Sequence, residues 1–180
     1  LPADAPTETS DRRLLEDAYR ANQTHQKLSL LLLTKLEKSF SNAGVRWLDF
    51  KGLPQARALY TDAAVRASRD IDILVDGANF LEAANLMLAN GFVRPSLPIS
   101  STSLVSKAAI ALVRDIGLVD STTRIFVELH RQLLSPDRGI ESLVADAFRP
   151  RLASGGEIPA PPVSAELAFY LLLHGATSLW

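Results

Sequence analysis

The six residues Asp70-Ile71-Asp72-Ile73-Leu74-Val75 constrain this chain more than any other stretch. Side chains alternate across a β-strand, so Ile71, Ile73 and Val75 share one face while Asp70, Asp72 and Leu74 share the other. The first face reads as core. The second sets two carboxylates at the start of a strand beside apolar residues, where mutual repulsion and lost hydration cost free energy. A divalent cation removes that cost, because hard cations take oxygen ligands. For the bare pair, the plainer reading is a solvated strand end.

The rest of the chain supplies the elements such a strand needs around it. Leu14, Leu15, Ala18, Tyr19, Leu28, Leu31, Leu32, Leu36 and Phe40 recur at helical spacing. They predict one long helix from about Arg12 to residues 42–44, capped by Ser10 or Asp11 and bent near residues 22–24. Residues 1–10, with two prolines and no periodicity, read as a loose tail. Residues 45–50 read as a short strand running into Lys51-Gly52, and Pro54 suits the first turn of a helix reaching Tyr60. Residues 61–69 are loop. Asp76-Gly77 ends the Asp-rich strand, and residues 80–90 form an amphipathic helix closed by Gly91.

Beyond it, residues 92–103 read as loop, and residues 104–113 fit either helix or strand. Residues 116–119 and 124–129 read as two strands joined through Asp120-Ser121-Thr122. A short helix over residues 140–148, a Pro/Gly-rich connector over 149–162 and a last helix capped by Ser164 complete the chain. This order of helices and strands indicates an α/β or α+β domain with a mixed sheet.

Composition narrows the classes of function. The chain has 180 residues, enough for one buried core, with 47% apolar and 22% charged residues. A net charge of −1 offers no broad basic face, so nucleic acid is not an expected partner. The absence of cysteine excludes disulfides and thiolate metal sites. No apolar run approaches the ~20 residues of a membrane span, and the acidic, polar start does not resemble a signal peptide. A soluble cytoplasmic protein is expected. With no initiator Met and an end at Trp180 inside an apolar, helix-like stretch, the sequence reads as a piece of a longer chain.

Several further residues have chemistry to offer. In Arg124-Ile125-Phe126-Val127-Glu128-Leu129-His130, Phe126, Glu128 and His130 share a strand face opposite Ile125, Val127 and Leu129. A third carboxylate on an adjacent strand would suit a two-metal site, with ions ~3.5–4 Å apart clamping a phosphoryl group. The alternative for Glu128 is a charge on an exposed sheet face. Lys51-Gly52, at a strand-to-helix turn, pairs a positive charge with a residue that lets backbone approach a phosphate, although ordinary turns look the same. Arg66 and Arg69 precede Asp70 and suit either the carboxylates or a triphosphate, or else simply solvent. His130 suits orienting Glu128, touching substrate, or a structural hydrogen bond. His174 reads as structural, and His25 and Asp49 as structural or surface residues.

Lys51-Gly52, Leu59-Tyr60, Arg66, the strand Asp70–Val75 and the helix ending at Gly91-Phe92 together resemble an uncharacterised nucleotidyltransferase family of bacteria, within the DNA polymerase β superfamily. The family's later acidic residue two before a His is similar to Glu128-Leu129-His130, and its following helix to the segment ending in His174. The resemblance covers residues 44–176. It implies a polymerase β-like fold over residues 11–148, followed over 149–180 by a connector and the start of a C-terminal helical region that family members usually extend.

The resemblance also implies Asp70, Asp72 and Glu128 as catalytic ligands of two Mg²⁺ ions, with Lys51, Gly52, Arg66 and Arg69 toward a nucleoside triphosphate such as ATP. An acceptor hydroxyl of unknown identity would attack the α-phosphate and release pyrophosphate. Where the wider superfamily has Gly-Ser after its first strand, this chain has Lys51-Gly52-Leu53, with no hydroxyl. That departure motivates the alternative of a non-catalytic relative that binds a nucleotide or a protein, as a regulator or a toxin/antitoxin partner.

Overall fold

The computed structural model describes residues 8–95, 113–133 and 172. Helix α1 runs without interruption over Glu8–Asn42. Strand β1 (Trp47–Asp49) and helix α2 (Leu53–Leu59) follow, then β2 (Asp70–Val75) and α3 (Phe80–Ala89). Three strands complete the described elements: β3 (Phe92–Val93), β4 (Asp115–Asp120) and β5 (Phe126–His130). They form one five-stranded mixed sheet in the order β1-β2-β5-β4-β3. Only the central pair β2 and β5 is parallel; every other neighbour is antiparallel. A parallel pair needs a crossover, and here the chain between its strands includes α3, β3 and β4.

One face of the sheet meets the helices. Ile71, Ile73 and Val75 of β2, Val127 and Leu129 of β5, and Ile116 and Leu118 of β4 pack with Leu32, Leu33, Leu36 and Phe40 of α1. Phe80, Ala83, Ala84 and Met87 of α3 join the same cluster. At 1.5–3 kcal/mol for each fully buried large apolar side chain, to order of magnitude, this layer is the main source of stability. Phe40 meets Trp47 edge to face with centroids 5.9 Å apart, fixing the end of α1 against the edge strand.

The predicted apolar stripe of α1 divides in two. In its second half Leu32, Leu36 and Phe40 are core although Leu31 is 68% exposed, and in its first half Leu14 and Leu15 are 65% and 71% exposed. Between them the helix clamps the loop before β2 through polar side chains: Asn22 donates to the Arg66 carbonyl at 3.0 Å and Gln26 to the Ala63 carbonyl at 2.6 Å. Asn22 also donates to the Ala64 carbonyl, and the Tyr19 hydroxyl to Asp62.

Three further boundaries differ from the sequence reading. Helix α1 begins at Glu8, so residues 8–10 are helical and not tail, and Ser10 and Asp11 lie inside the helix. Phe92 and Val93, read as loop, pair with Asp120 and Val119 as an edge strand. The hairpin strands begin and end elsewhere too, because β4 starts at Asp115 and β5 at Phe126. Asp120 locks that hairpin by accepting from the Thr123 amide (2.7 Å) and hydroxyl (2.8 Å), while Arg124 turns the chain at a φ of 62°. The expected loop over 96–103, the undecided stretch 104–112, the helix over 140–148, the connector, the Ser164 cap and His174 lie outside the described residues.

Candidate functional site

Register brings the site together. Asp72 is the direct partner of Glu128 across the parallel pair, and Leu74 is the partner of His130. On the other side of β5, Glu128 faces Gly117 and His130 faces Asp115. Because the odd-numbered residues of β2 and of β5 fill the core, Asp70, Asp72, Glu128 and His130 all project from the opposite face. Gly117 leaves room there for the Phe126 ring, since a Cβ at 117 would lie 2.5 Å from Phe126 Cζ.

Asp72 is the hub. It is 3% exposed, and its Oδ1 accepts from Lys51 Nζ at 2.7 Å and from His130 Nε2 at 3.1 Å. His130 Nε2 also lies 3.3 Å from Glu128 Oε2. The carboxylates of Asp72 and Glu128 and the imidazole of His130 each offer a donor atom within 4.8 Å of the others. Phe50 meets the His130 ring edge to face at 5.3 Å, and Lys51 Nζ lies 5.3 Å from the Phe50 ring centre. Glu128 remains half-exposed, which leaves the cluster open to solvent on one side.

The electrostatics follow from this crowding. Burial pushes the Asp72 carboxyl up, but the His130 hydrogen bond and the Lys51 charge outweigh it and hold Asp72 below the ordinary carboxylate value. Asp70 shifts the other way: burial raises it, and the negative charges of Asp72 and Glu128 raise it further. Burial alone would lower His130, yet its hydrogen bonds to Asp72 and Glu128 raise it. Asp72, Glu128 and His130 bring two carboxylates and an imidazole within 4.8 Å of one another, and Asp70 adds a further carboxylate on the same face outside that close group. That donor set fits a divalent cation.

The Lys51-Gly52 turn is held from below. Gly52 has a φ of 61°, and a Cβ there would lie 2.5 Å from Ser68 Oγ. Ser68 Oγ in turn donates to the Asp70 carbonyl at 3.1 Å. Arg66 Nη1 donates to the Gly52 carbonyl at 2.8 Å, so this guanidinium braces the turn. Arg69 is exposed beside Asp70.

The structure thus gathers Asp70, Asp72, Glu128, His130, Lys51 and Gly52 at one place, with Arg66 engaged behind the turn and Arg69 at the rim. His130 sits closer to Asp72 and Glu128 than a role at the margin requires. Ser68, Asp115 and Gly117 border the cluster and were not singled out from sequence, while Phe126 lies on the face expected for it. A glycine inside a strand signals a close approach, and Asp115 becomes visible once β4 is put in register with β5. Asp49, read as structural or surface, is buried at 1% exposure on the core face, with no partner for its Oδ1.

Among the curated proteins compared, none matches the chain. A protein-family model described as "uncharacterised nucleotidyltransferase" matches residues 4–180. The chain belongs to that family, and its mixed α+β fold is consistent with a nucleotidyltransferase.

Proposed function

We propose that this nucleotidyltransferase moves a nucleoside monophosphate from a nucleoside triphosphate to a hydroxyl of a small molecule, peptide or protein, at the face bearing Asp70, Asp72 and Glu128. The observation that carries the reading is the in-register pairing of Asp72 with Glu128, with Asp70 two residues earlier on the same face. Asp70, Asp72 and Glu128 would hold two Mg²⁺ ions. When bound, Mg²⁺ lowers the pKa of an attacking hydroxyl and offsets charge on the triphosphate.

The chain's own residues supply the rest. Lys51, already drawn to Asp72, is placed to turn its ammonium to a phosphate oxygen once that carboxylate has another counter-charge. Gly52, lacking a side chain, lets the triphosphate approach the backbone of the turn, and Arg66 keeps that turn in place. Arg69, exposed next to Asp70 in the chain, would add a positive charge toward the triphosphate. As the acceptor hydroxyl gives up its proton to solvent and its oxygen bonds to the α-phosphorus, the bond from that phosphorus to the bridging oxygen breaks and pyrophosphate leaves with the electron pair.

The direct test is transfer of label from α-³²P nucleoside triphosphates, one base at a time, to fractions of small molecules and of proteins. The reading expects Mg²⁺-dependent labelling of one fraction, lost in Asp72→Asn. Labelling that persists in that variant would place the chemistry elsewhere.

A further inference from the structure

We propose that His130 is itself a metal ligand, through Nε2, and that Asp115 orients it, so that this site takes a first-row transition dication such as Mn²⁺ in preference to Mg²⁺. The inference rests on the reading of the Asp72–Glu128 face as the catalytic metal centre, and adds a nitrogen donor to it.

The distances carry the argument. His130 Nε2 lies 3.1 Å from Asp72 Oδ1 and 3.3 Å from Glu128 Oε2. Donors bound at right angles to one ion by bonds of about 2.1 Å stand about 3.0 Å apart. The imidazole nitrogen is therefore already spaced from each carboxylate oxygen as a neighbouring ligand would be, and all three residues offer donor atoms within 4.8 Å of one another. The imidazole is 3% exposed and edge-on to Phe50, so it cannot swing away into solvent to leave a purely carboxylate site.

The far side of the ring supports the same assignment. Coordination through Nε2 would displace the proton that Nε2 shares with Asp72 in the metal-free site and leave the ring's proton on Nδ1, and that N–H needs an acceptor. Among the described residues His130 Nδ1 is buried without a hydrogen-bond partner, and Asp115 Oδ2, which accepts from Arg114 Nε at 2.6 Å, stands 4.0 Å from it across the β4–β5 pair. A rotation of the half-exposed Asp115 that shifts this oxygen from Arg114 toward Nδ1 would close the gap, and a carboxylate on the far ring nitrogen is what fixes a ligating histidine. Asp115 is thus a positioning residue. Mixed imidazole and carboxylate donors favour transition dications over Mg²⁺, which prefers oxygen and sheds water reluctantly.

The test is metal binding by the full chain without nucleotide: free Mn²⁺ followed by electron paramagnetic resonance, and Mg²⁺ by competition. Mn²⁺ is expected to bind about tenfold or more tightly than Mg²⁺. His130→Gln should remove that preference while leaving Mg²⁺ affinity within a few-fold, and Asp115→Asn should weaken Mn²⁺ by about tenfold. Bound Mn²⁺ in the parent chain should also show hyperfine coupling to one ¹⁴N nucleus, a readout that needs no variant to fold. Mn²⁺ binding that needs Asp72 but shows no ¹⁴N coupling and no sensitivity to His130→Gln would overturn the inference and leave the catalytic-metal reading standing. Absence of any Asp72-dependent binding of either ion would overturn both.

Discussion

Asp72 and Glu128 face one another as direct partners on the two parallel strands of the sheet, on the side turned away from the hydrophobic core. Neither carboxylate is needed to fill that core. Their juxtaposition concentrates negative charge beside Lys51 and His130.

Asp72 should be the most sensitive position for activity. If its contribution to the transition state is ~4 kcal/mol, Asp72→Ala lowers the transfer rate about a thousandfold. Pyrophosphate release under saturating nucleotide measures this, with a melting curve to verify that the variant is folded. A rate within tenfold of the parent would remove Asp72 from the mechanism.

Lys51 should act in opposite directions on its two ligands. Its ammonium sits 2.7 Å from Asp72 Oδ1, so Lys51→Met frees that oxygen and tightens divalent-cation binding in the absence of nucleotide. The same change removes a positive charge from the triphosphate and weakens nucleotide binding by about tenfold, the ~1.5 kcal/mol of one charged hydrogen bond. Isothermal titration of metal alone and of nucleotide with metal separates the two effects. If both affinities fall together, Lys51 is merely supporting the fold.

Gly52 should not tolerate a side chain. Its φ of 61° with a ψ of −107° lies outside the left-handed helical region and costs any other residue about 1–3 kcal/mol, and a Cβ also displaces Ser68 Oγ from its bond to the Asp70 carbonyl. Gly52→Ala is expected to lower Tm by several degrees. Ser68→Ala in the same chain should return only the part due to the contact, because the backbone strain remains. Differential scanning calorimetry of the two single variants and the double variant gives the split.

Asp49 should make the protein less stable as pH rises. Burial pushes its carboxyl well above the ordinary value, and the Asp72 charge adds to the effect. Between the unfolded value of about 4 and the raised folded value, the folded state holds a proton that the unfolded state has lost. Stability therefore falls as pH rises through that window, at up to ~1.4 kcal/mol per pH unit from this group. In Asp49→Asn this slope disappears, so the variant gains on the parent as pH is raised from 4 toward neutrality. Urea denaturation at successive pH values checks it, and parallel pH profiles for parent and variant would contradict it.

Much of this site was legible because its signal is local. Alternation alone placed Asp70 and Asp72 on one face of β2, whose observed bounds match the predicted ones, and likewise placed Glu128 and His130 together on β5. What stayed hidden depends on register or on distant partners. No local pattern announces a two-residue strand such as Phe92–Val93, which exists because Val119 and Asp120 lie beside it. Helical spacing shows that Leu14 and Leu15 share a stripe with Leu36, but not which part of the stripe another element covers. Arg66 looked free to meet a triphosphate, and only the fold brings the Gly52 carbonyl to it across fourteen residues. The approach of His130 to Asp72 spans 58 residues and follows from pairing β2 with β5 in parallel, which neither strand encodes alone.

The most direct test of the central claim is calorimetric titration of ATP, GTP, CTP and UTP in the presence of Mg²⁺, on the parent chain and on Asp70→Ala/Asp72→Ala. The account predicts saturable binding of at least one triphosphate by the parent and its loss in a double variant that melts as a folded protein. Equal binding by both proteins, or none by a folded parent, would contradict the assignment of the Asp70–Asp72–Glu128 face as the site of nucleotidyl transfer.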